Sequence, residues 1–327
     1  EHHPEVLAVD RHPGYRSTQF GQTFARREGL SLVEVQHHHA HVAAVLAENA
    51  RSPESGPVLG ITLDGLGYGA DGTLWGGEFL VADYAAFERV AALKSTPMPG
   101  GVRAVLEPWR NTWAHIATHV GWEQARARSP GLEAFSWLDD RPLATLERMV
   151  EQDVNSPLAS SCGRLFDAVA GALGICREAV SYEGQAASEL ESLASRASGE
   201  VSGYPFGTTG GNGMTVLDPA PMWTALLRDL HRAEAPERIA MRFHLGLAQA
   251  VVQLAAVLCE RHSLSTVALS GGVFQNLILF ESVCRQARRL GLTVLTHTQV
   301  PANDGGLSLG QATIAAVRCA GGPATTA

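Results

Sequence analysis

Apolar residues recur at helical spacing through most of the chain, and short apolar runs lie between the helical stretches. The spacing predicts helices over 109–120, 143–152, 164–173, 185–197, 238–261, 275–290 and 307–320. Between the last three lie two short strands rich in β-branched residues, 266–269 and 293–295. Near the start, 6–9 is an apolar run that ends at Asp10, and 37–49 has helical spacing. Residues 57–63 read as a buried strand ending at Asp64, and a glycine-rich turn leads to a second strand at 74–82, so the pair reads as a hairpin. The Gly-, Ser- and Thr-rich stretch 198–212 reads as a loop or linker. Helices alternating with short strands predict an α/β fold with parallel elements. Two such units would place a cleft between an N-terminal lobe, 1–160, and a C-terminal lobe, 161–327.

Composition narrows the possibilities. At 327 residues, 45% hydrophobic and 18% charged, the chain can bury a substantial core. The apolar stretch 245–258 is interrupted by Gly246, Gln249 and Gln253 and reads as too short and too polar for a bilayer. The net charge of −8, with Lys94 the single lysine, argues against a nonspecific nucleic-acid binder, which needs a basic face. Five scattered cysteines without a Cys-x-x-Cys pair read as buried thiols rather than as a disulfide framework or a thiolate zinc site. The expected setting is the cytoplasm, with no membrane or nucleic-acid partner.

The densest chemistry is Gln36-His37-His38-His39-Ala40-His41. Residues four apart share a helix face, so His37 and His41 converge on one ion, whereas His38 and His39 point elsewhere. A solvated helix start with stacked imidazoles is the alternative. Two imidazoles leave a metal short of ligands, and carboxylates in loops, Asp64 and Asp304, are the natural supplements; each also suits a turn or a helix cap. Gly76 and Gly77 fall inside a strand, where glycine suggests close approach of a ligand, with a bulge as the alternative. A strand running into Ser270-Gly271-Gly272 and then a helix aims backbone N–H groups at an anion or base. Asn276 in the following turn could bond a nucleoside or cap the helix. Glu183 and Gly184 open another helix, and Asp167 is an acid in an apolar helical pattern.

Together these segments resemble the C-terminal carbamoyl-transfer domain of the HypF family, the carbamoyltransferases of nickel–iron hydrogenase maturation. The resemblance is carried by Asp10-Arg11-His12-Pro13-Gly14-Tyr15-Arg16-Ser17-Thr18, by Val35-Gln36-His37-His38-His39-Ala40-His41 and by the whole of 64–79. It continues through Pro99-Gly100-Gly101, Glu107-Pro108-Trp109-Arg110, Gly163-Arg164-Leu165-Phe166-Asp167, Glu183-Gly184-Gln185, 270–276 and Asn303-Asp304-Gly305-Gly306. It implies a two-lobed actin-like, sugar-kinase-like fold with a central cleft. It also implies a divalent metal (Fe, Zn or Mn) on His37, His41 and Asp304, with Asp64 as fourth ligand. Gly76, Gly77, Asp167, Glu183, Gly184, Gly271, Gly272 and Asn276 would line a cleft for ATP, AMP or carbamoyl-adenylate. The implied reaction moves a carbamoyl group from carbamoyl-adenylate to the C-terminal cysteine of a HypE-type acceptor. The adenylate would come from an adenylate-forming domain, fused or separate. That domain, an acylphosphatase-like domain and cysteine zinc motifs are not recognisable in this sequence, and the family's transfer domain begins further upstream, so its first strands are expected to be missing. Val102 stands where the family more usually has a polar residue. Two other readings fit the same fold: an O-carbamoyltransferase acting on a small-molecule hydroxyl, and a metal- and nucleotide-binding scaffold without turnover.

Overall fold

A computed structural model describes residues 3–211 and 213–320. The chain opens with β1 (Val6–Asp10), α1 (Arg16–Glu28), β2 (Ser31–Val35) and α2 (His37–Glu48). Strands β3 (Val58–Tyr68), β4 (Leu74–Ala82), β5 (Phe87–Leu93) and β6 (Thr96–Pro97) follow. A helical stretch comes next: α3 (Val102–Leu106), α4 (Pro108–His119), α5 (Trp122–Arg128), α6 (Glu133–Asp139) and α7 (Leu143–Glu151). The two-residue strand β7 (Leu158–Ala159) leads to α8 (Cys162–Ala172) and α9 (Gln185–Ala194). The last third contains β8 (Gly207–Gly211), β9 (Met214–Asp218), α10 (Ala220–His231), α11 (Pro236–Arg261), β10 (Thr266–Ser270), α12 (Leu277–Arg289), β11 (Thr293–Leu295) and α13 (Leu307–Ala320).

Two sheets organise these elements. β1 and β2 pair in parallel as a small sheet, and the large one runs β11-β10-β3-β4-β5-β9-β8, with β7 pairing to β4 and β6. The expected α/β character is present, but the lobe boundary near residue 160 does not separate the sheets. β10 pairs in parallel with β3, and α13 returns to pack on α2 and β1. Pairing between strands some two hundred residues apart leaves no mark on local periodicity. The stretch expected as a linker contains β8, which forms an antiparallel edge hairpin with β9; Asn212 lies outside the described residues. α11 is long and apolar enough to cross a membrane by length and composition, contrary to the expectation from sequence, yet 67% of its apolar window is buried in the protein. All five cysteines are free, and Cys319 is exposed.

The helix that carries the histidines is buried on every side from His37 to Leu46. It packs between α13 and strands β3, β4 and β10 of the large sheet, so it lacks the one-sided apolar stripe of a surface helix. Two glycines permit its close packing. A Cβ on Gly60 would collide with the Val42 side chain, and one on Gly310 would collide with the Ala40 carbonyl oxygen. Backbone cannot move aside as a side chain can, so Gly310→Ala should lower the unfolding free energy by about 1–3 kcal/mol or more. Urea denaturation checks this, and an unchanged midpoint would contradict the packing described.

Candidate metal centre and adjoining cleft

Gln36 caps α2, its side-chain oxygen accepting from the His39 N–H at 2.8 Å. The cap fixes the first turn, and the four-residue spacing then sets His37 above His41 with ring centroids 5.0 Å apart. Across from them stands Asp64. The apolar pattern ends the strand at this residue, whereas β3 continues to Tyr68. A register shift between Leu63 and Gly67 interrupts its pairing with β4, and such a bulge re-aims side chains and breaks the alternation that marks a strand. Gly67 leaves room for the His37 and His38 rings, which a Cβ there would strike. Asp304 arrives from a single 3₁₀ turn ahead of α13, whose start is held by the Asn303 side chain accepting from the Gly305 N–H at 3.1 Å.

These four side chains meet. His37 Nε2 lies 3.2 Å from Asp64 Oδ2 and 3.5 Å from Asp304 Oδ1. His41 Nε2 lies 3.4 Å and 3.7 Å from the same two oxygens. One ligand atom from each of the four falls within 4.8 Å of the others. Donors about 2.0–2.1 Å from a tetrahedral ion stand roughly 3.3 Å apart, so the spacing suits a metal. The His41 Nε2 atom is buried and has no hydrogen-bond partner, an orphan that a metal would satisfy.

Electrostatics agree with the geometry. Burial disfavours the imidazolium at His37, but hydrogen bonds to Asp10, Asp304 and Asp64 outweigh it and hold the ring well above the ordinary histidine value. His41 is raised too: burial opposes the charge, and Asp304 and Asp64 favour it more strongly. Asp64 is held well below the carboxylate range despite its burial, through the hydrogen bond from His37 and the charge of the nearby His41 ring. A metal must displace the protons these histidines hold. Its apparent affinity therefore rises with pH and keeps rising past the unshifted histidine value of 6.5. The expected slope is about tenfold per pH unit for each proton displaced. Chelator competition with zinc checks this, and an affinity that levels off below pH 6.5 would contradict it.

His38 and His39 are neither ligands nor a solvated helix start: both are fully buried. His39 Nε2 donates to the Asp83 carbonyl at 2.7 Å, tying α2 to the turn after β4. Burial lowers His39 to about 4, so it sits there as a neutral ring.

Two cavities share Glu183, and the larger reaches Asp304 of the cluster. The larger, about 540 Å³, runs from Asp304, His12 and Tyr15 past Gly65 and Arg164 to Met98, Val102 and Val105. Its mouth is apolar, and Val102 is 75% exposed there. The smaller, about 280 Å³, is walled by Phe166, Tyr182, Glu183, Gly184, Gly272, Val273 and Asn276. Gly271 takes a φ of 100°, a conformation that favours glycine, and a Cβ on it would strike the Leu63 carbonyl. The turn brings the Gly272 N–H to Asp64 Oδ1 at 3.0 Å, joining this loop to the four-residue cluster.

The remaining candidates are Gly76, Gly77, Asp167 and Asn276. Gly76 and Gly77 are packed against the protein's own backbone. A Cβ on Gly76 would lie 2.8 Å from the Asp64 carbonyl, and one on Gly77 2.6 Å from the Ser160 carbonyl. Their N–H groups donate to Glu78 Oε1 at 3.1 and 3.3 Å. The close approach that demands glycine is made by the protein's own backbone. Asp167 lies behind the cleft wall, 2.8 Å from the Nε of Arg164, which lines the larger cavity in its place. Burial raises Asp167, against the Arg164 guanidinium, and Glu183 adds a further upward push. Asn276 walls the smaller cavity, but its amide is engaged: Oδ1 accepts from the Leu279 N–H at 2.9 Å and Nδ2 meets His244 Nε2 at 2.9 Å. It is a helix cap.

Sequence reasoning misses the residues behind the two histidines. His37 Nδ1 donates to Asp10 Oδ2 at 2.9 Å, and His41 Nδ1 meets Ser270 Oγ at 3.1 Å. Asp10 follows an apolar run just as Asp64 does, and that shared position is the one signal the sequence offers for it.

Comparison with known proteins gives a consistent picture. Residues 60–311 match a family model described as the second subdomain of the carbamoyltransferase Kae1-like domain, and residues 1–48 match one described as the HypF Kae1-like domain. Carbamoyltransferase HypF of Rhodobacter capsulatus is 45% identical over 318 residues, which cover 97% of this chain and 40% of that protein. A carbamoyltransferase HypF homolog of Cupriavidus necator is 41% identical over 320 residues, 96% of this chain and 79% of its own length. A solved structure of full-length HypF in the phosphate- and nucleotide-bound form superposes with a TM-score of 0.86 at 35% identity, covering 96% of this chain and 39% of that one. HypF of T. kodakarensis gives 0.83 at 29% identity, covering 97% and 40%. The chain thus spans about 40% of the length of the full HypF proteins it matches.

Proposed function

The chain belongs to the HypF carbamoyltransferase family as its Kae1-like domain, a mixed α/β unit consistent with an actin-like fold, and on that premise we propose that it performs the transfer step. It would move a carbamoyl group from carbamoyl-adenylate to the C-terminal cysteine thiol of a HypE-type acceptor. The observation that carries this reading is a cluster of four candidate ligands beside a cavity that shares Glu183 with a second one. A transfer enzyme must bring donor and acceptor to one point from different sides.

The smaller cavity suits the nucleotide. The Gly271–Gly272 turn and the start of α9 at Gly184 bring backbone and small residues to its wall, and glycine admits a phosphate closely. The relative solved with phosphate and nucleotide bound supports ligands of this kind here. The larger cavity, with its apolar mouth at Val102 and Val105, suits an acceptor segment entering from solvent. Arg164, buried to 6% exposure at the junction, would face the anionic leaving group. A divalent metal held by His37, His41, Asp64 and Asp304 would supply Lewis-acid polarisation of the acyl or phosphate oxygens.

In the proposed step the acceptor sulfur attacks the carbamoyl carbon, a C–S bond forms and the C–O bond to phosphate breaks. AMP leaves with that electron pair, and the thiol proton passes to solvent or to the leaving phosphate. No side chain of this chain need form a covalent bond, because the acceptor supplies the nucleophile. The buried cysteines fit that view: burial pushes the Cys162 thiol up out of the reactive range. The reading is tested by supplying carbamoyl-adenylate and a HypE-type acceptor and following the acceptor's mass. Modification at the terminal cysteine supports it, and AMP release without modification contradicts it.

A further inference from the structure

The ring nitrogens of His37 and His41 that face away from the centre are both engaged, but in different ways. His37 ends on one carboxylate, Asp10. His41 begins a longer path. Its Nδ1 is 3.1 Å from Ser270 Oγ, which is 2.9 Å from His297 Nε2. His297 Nδ1 is in turn 2.9 Å from Glu48 Oε2. The path is buried along its length: Ser270 is 0% exposed, and the His297 and Glu48 side chains are 6% and 3% exposed. Glu48 is the last residue of α2, so the path leaves the metal helix and returns to it.

The direction of the protons along this path follows from its far end. The other Glu48 oxygen is surrounded by donors, the N–H groups of Thr298 and Gln299 and the Thr298 hydroxyl. Those hydrogen bonds hold its carboxyl below the usual range despite its burial, so Glu48 only accepts. His297 must then donate from Nδ1, which leaves a lone pair on its Nε2. The Ser270 hydroxyl donates to that lone pair at 2.9 Å, nearer than the Ala302 carbonyl at 3.4 Å, and its oxygen accepts from His41 Nδ1–H. His41 Nε2, aimed at Asp64 and Asp304, is then the nitrogen that gives up its proton when a metal binds, while Nδ1 keeps its own. The opposite order would set a His297 lone pair against an anionic carboxylate and keep a proton where a metal would bind.

We propose that Glu48, His297 and Ser270 form a positioning relay that fixes the His41 tautomer for metal binding at Nε2. The relay rests on the metal reading of the centre. Groups behind a ligating histidine commonly change metal affinity by about 10–100-fold. Glu48→Gln is the most telling change, since it keeps shape but presents an N–H₂ donor to His297 and reverses the path.

The test measures zinc affinity of the whole chain by chelator competition. Glu48→Gln, His297→Phe and Ser270→Ala are each expected to weaken binding by about 10–100-fold. Ser270→Ala with His297→Phe together should bind no more weakly than Ser270→Ala alone, because groups acting through one another do not add. Nitrogen NMR shifts of the zinc-loaded parent should place the His297 proton on Nδ1, a readout that needs no variant to fold. A proton on His297 Nε2, variants that bind zinc as tightly as the parent, or effects that add in the double variant would each overturn the relay. A parent that binds no zinc would instead remove the metal reading beneath it.

Discussion

The chain carrying both His37→Ala and His41→Ala should lose zinc binding and lose carbamoyl transfer by about a thousandfold or more. Lewis-acid polarisation is worth several kcal/mol at a transition state, and each 1.4 kcal/mol is about tenfold in rate. The substitutions remove both nitrogen donors of the four-ligand centre and leave Asp64 and Asp304 with no cation between them. They also leave buried Asp10 and Asp64 without their histidine partners, and breaking a buried pair costs about 3–5 kcal/mol. Lost activity alone could therefore reflect lost structure. Asp304→Asn separates the two effects, because its side chain is 60% exposed and its removal disturbs packing little. Zinc binding and transfer should both fall in Asp304→Asn while the circular dichroism spectrum stays that of the parent. A folded Asp304→Asn chain that transfers at the parental rate would rule out its role as a ligand.

Glu78→Ala should destabilise the protein by about 3–5 kcal/mol in urea titrations. Glu78 is 0% exposed, and its carboxylate accepts from the Gly76 and Gly77 N–H groups, the Ser160 hydroxyl and Arg89 Nε at 2.6 Å. Alanine would take away the acceptor these four donors share. Arg89 keeps its contact with Asp71 at 3.0 Å and its stacking over Trp75, which places the expected loss toward the lower end of that range. The effect should reach the cleft. Ser160 and the adjoining Ser161, whose hydroxyl donates to the Gly65 carbonyl, seat the start of α8 and with it Arg164. A loss below about 1 kcal/mol would mean that water replaces the carboxylate without penalty.

Local pattern reveals much of this architecture. The helices α4, α7, α8, α9, α11, α12 and α13 and the strands β4, β10 and β11 follow directly from apolar spacing. The four-residue step in the histidine run is enough to place His37 and His41 on one helix face. What stays hidden depends on contacts far apart in sequence. Ser270 lies 229 residues from His41, and His297 lies 249 from Glu48, and no periodicity links such pairs. The bulge in β3 conceals that Asp64 sits within a strand, because it breaks the alternation by which strands are recognised. Gly76 and Gly77 are indeed sites of close approach, but sequence cannot say whether ligand or backbone does the approaching. Asn276 and Asp167 each have a structural alternative, a cap and a buried pair, and the structure shows those interactions in both cases.

On the proposed reading, one metal centre joins a nucleotide cavity to an acceptor cavity for carbamoyl transfer. The most direct measurement supplies carbamoyl-adenylate and a HypE-type acceptor to the zinc- or iron-loaded chain and to the same chain stripped by chelator. The account predicts a single carbamoyl group on the acceptor's C-terminal cysteine with the loaded chain, and none above background with the stripped one. Equal modification by both chains, or none by either while AMP is released, would contradict it.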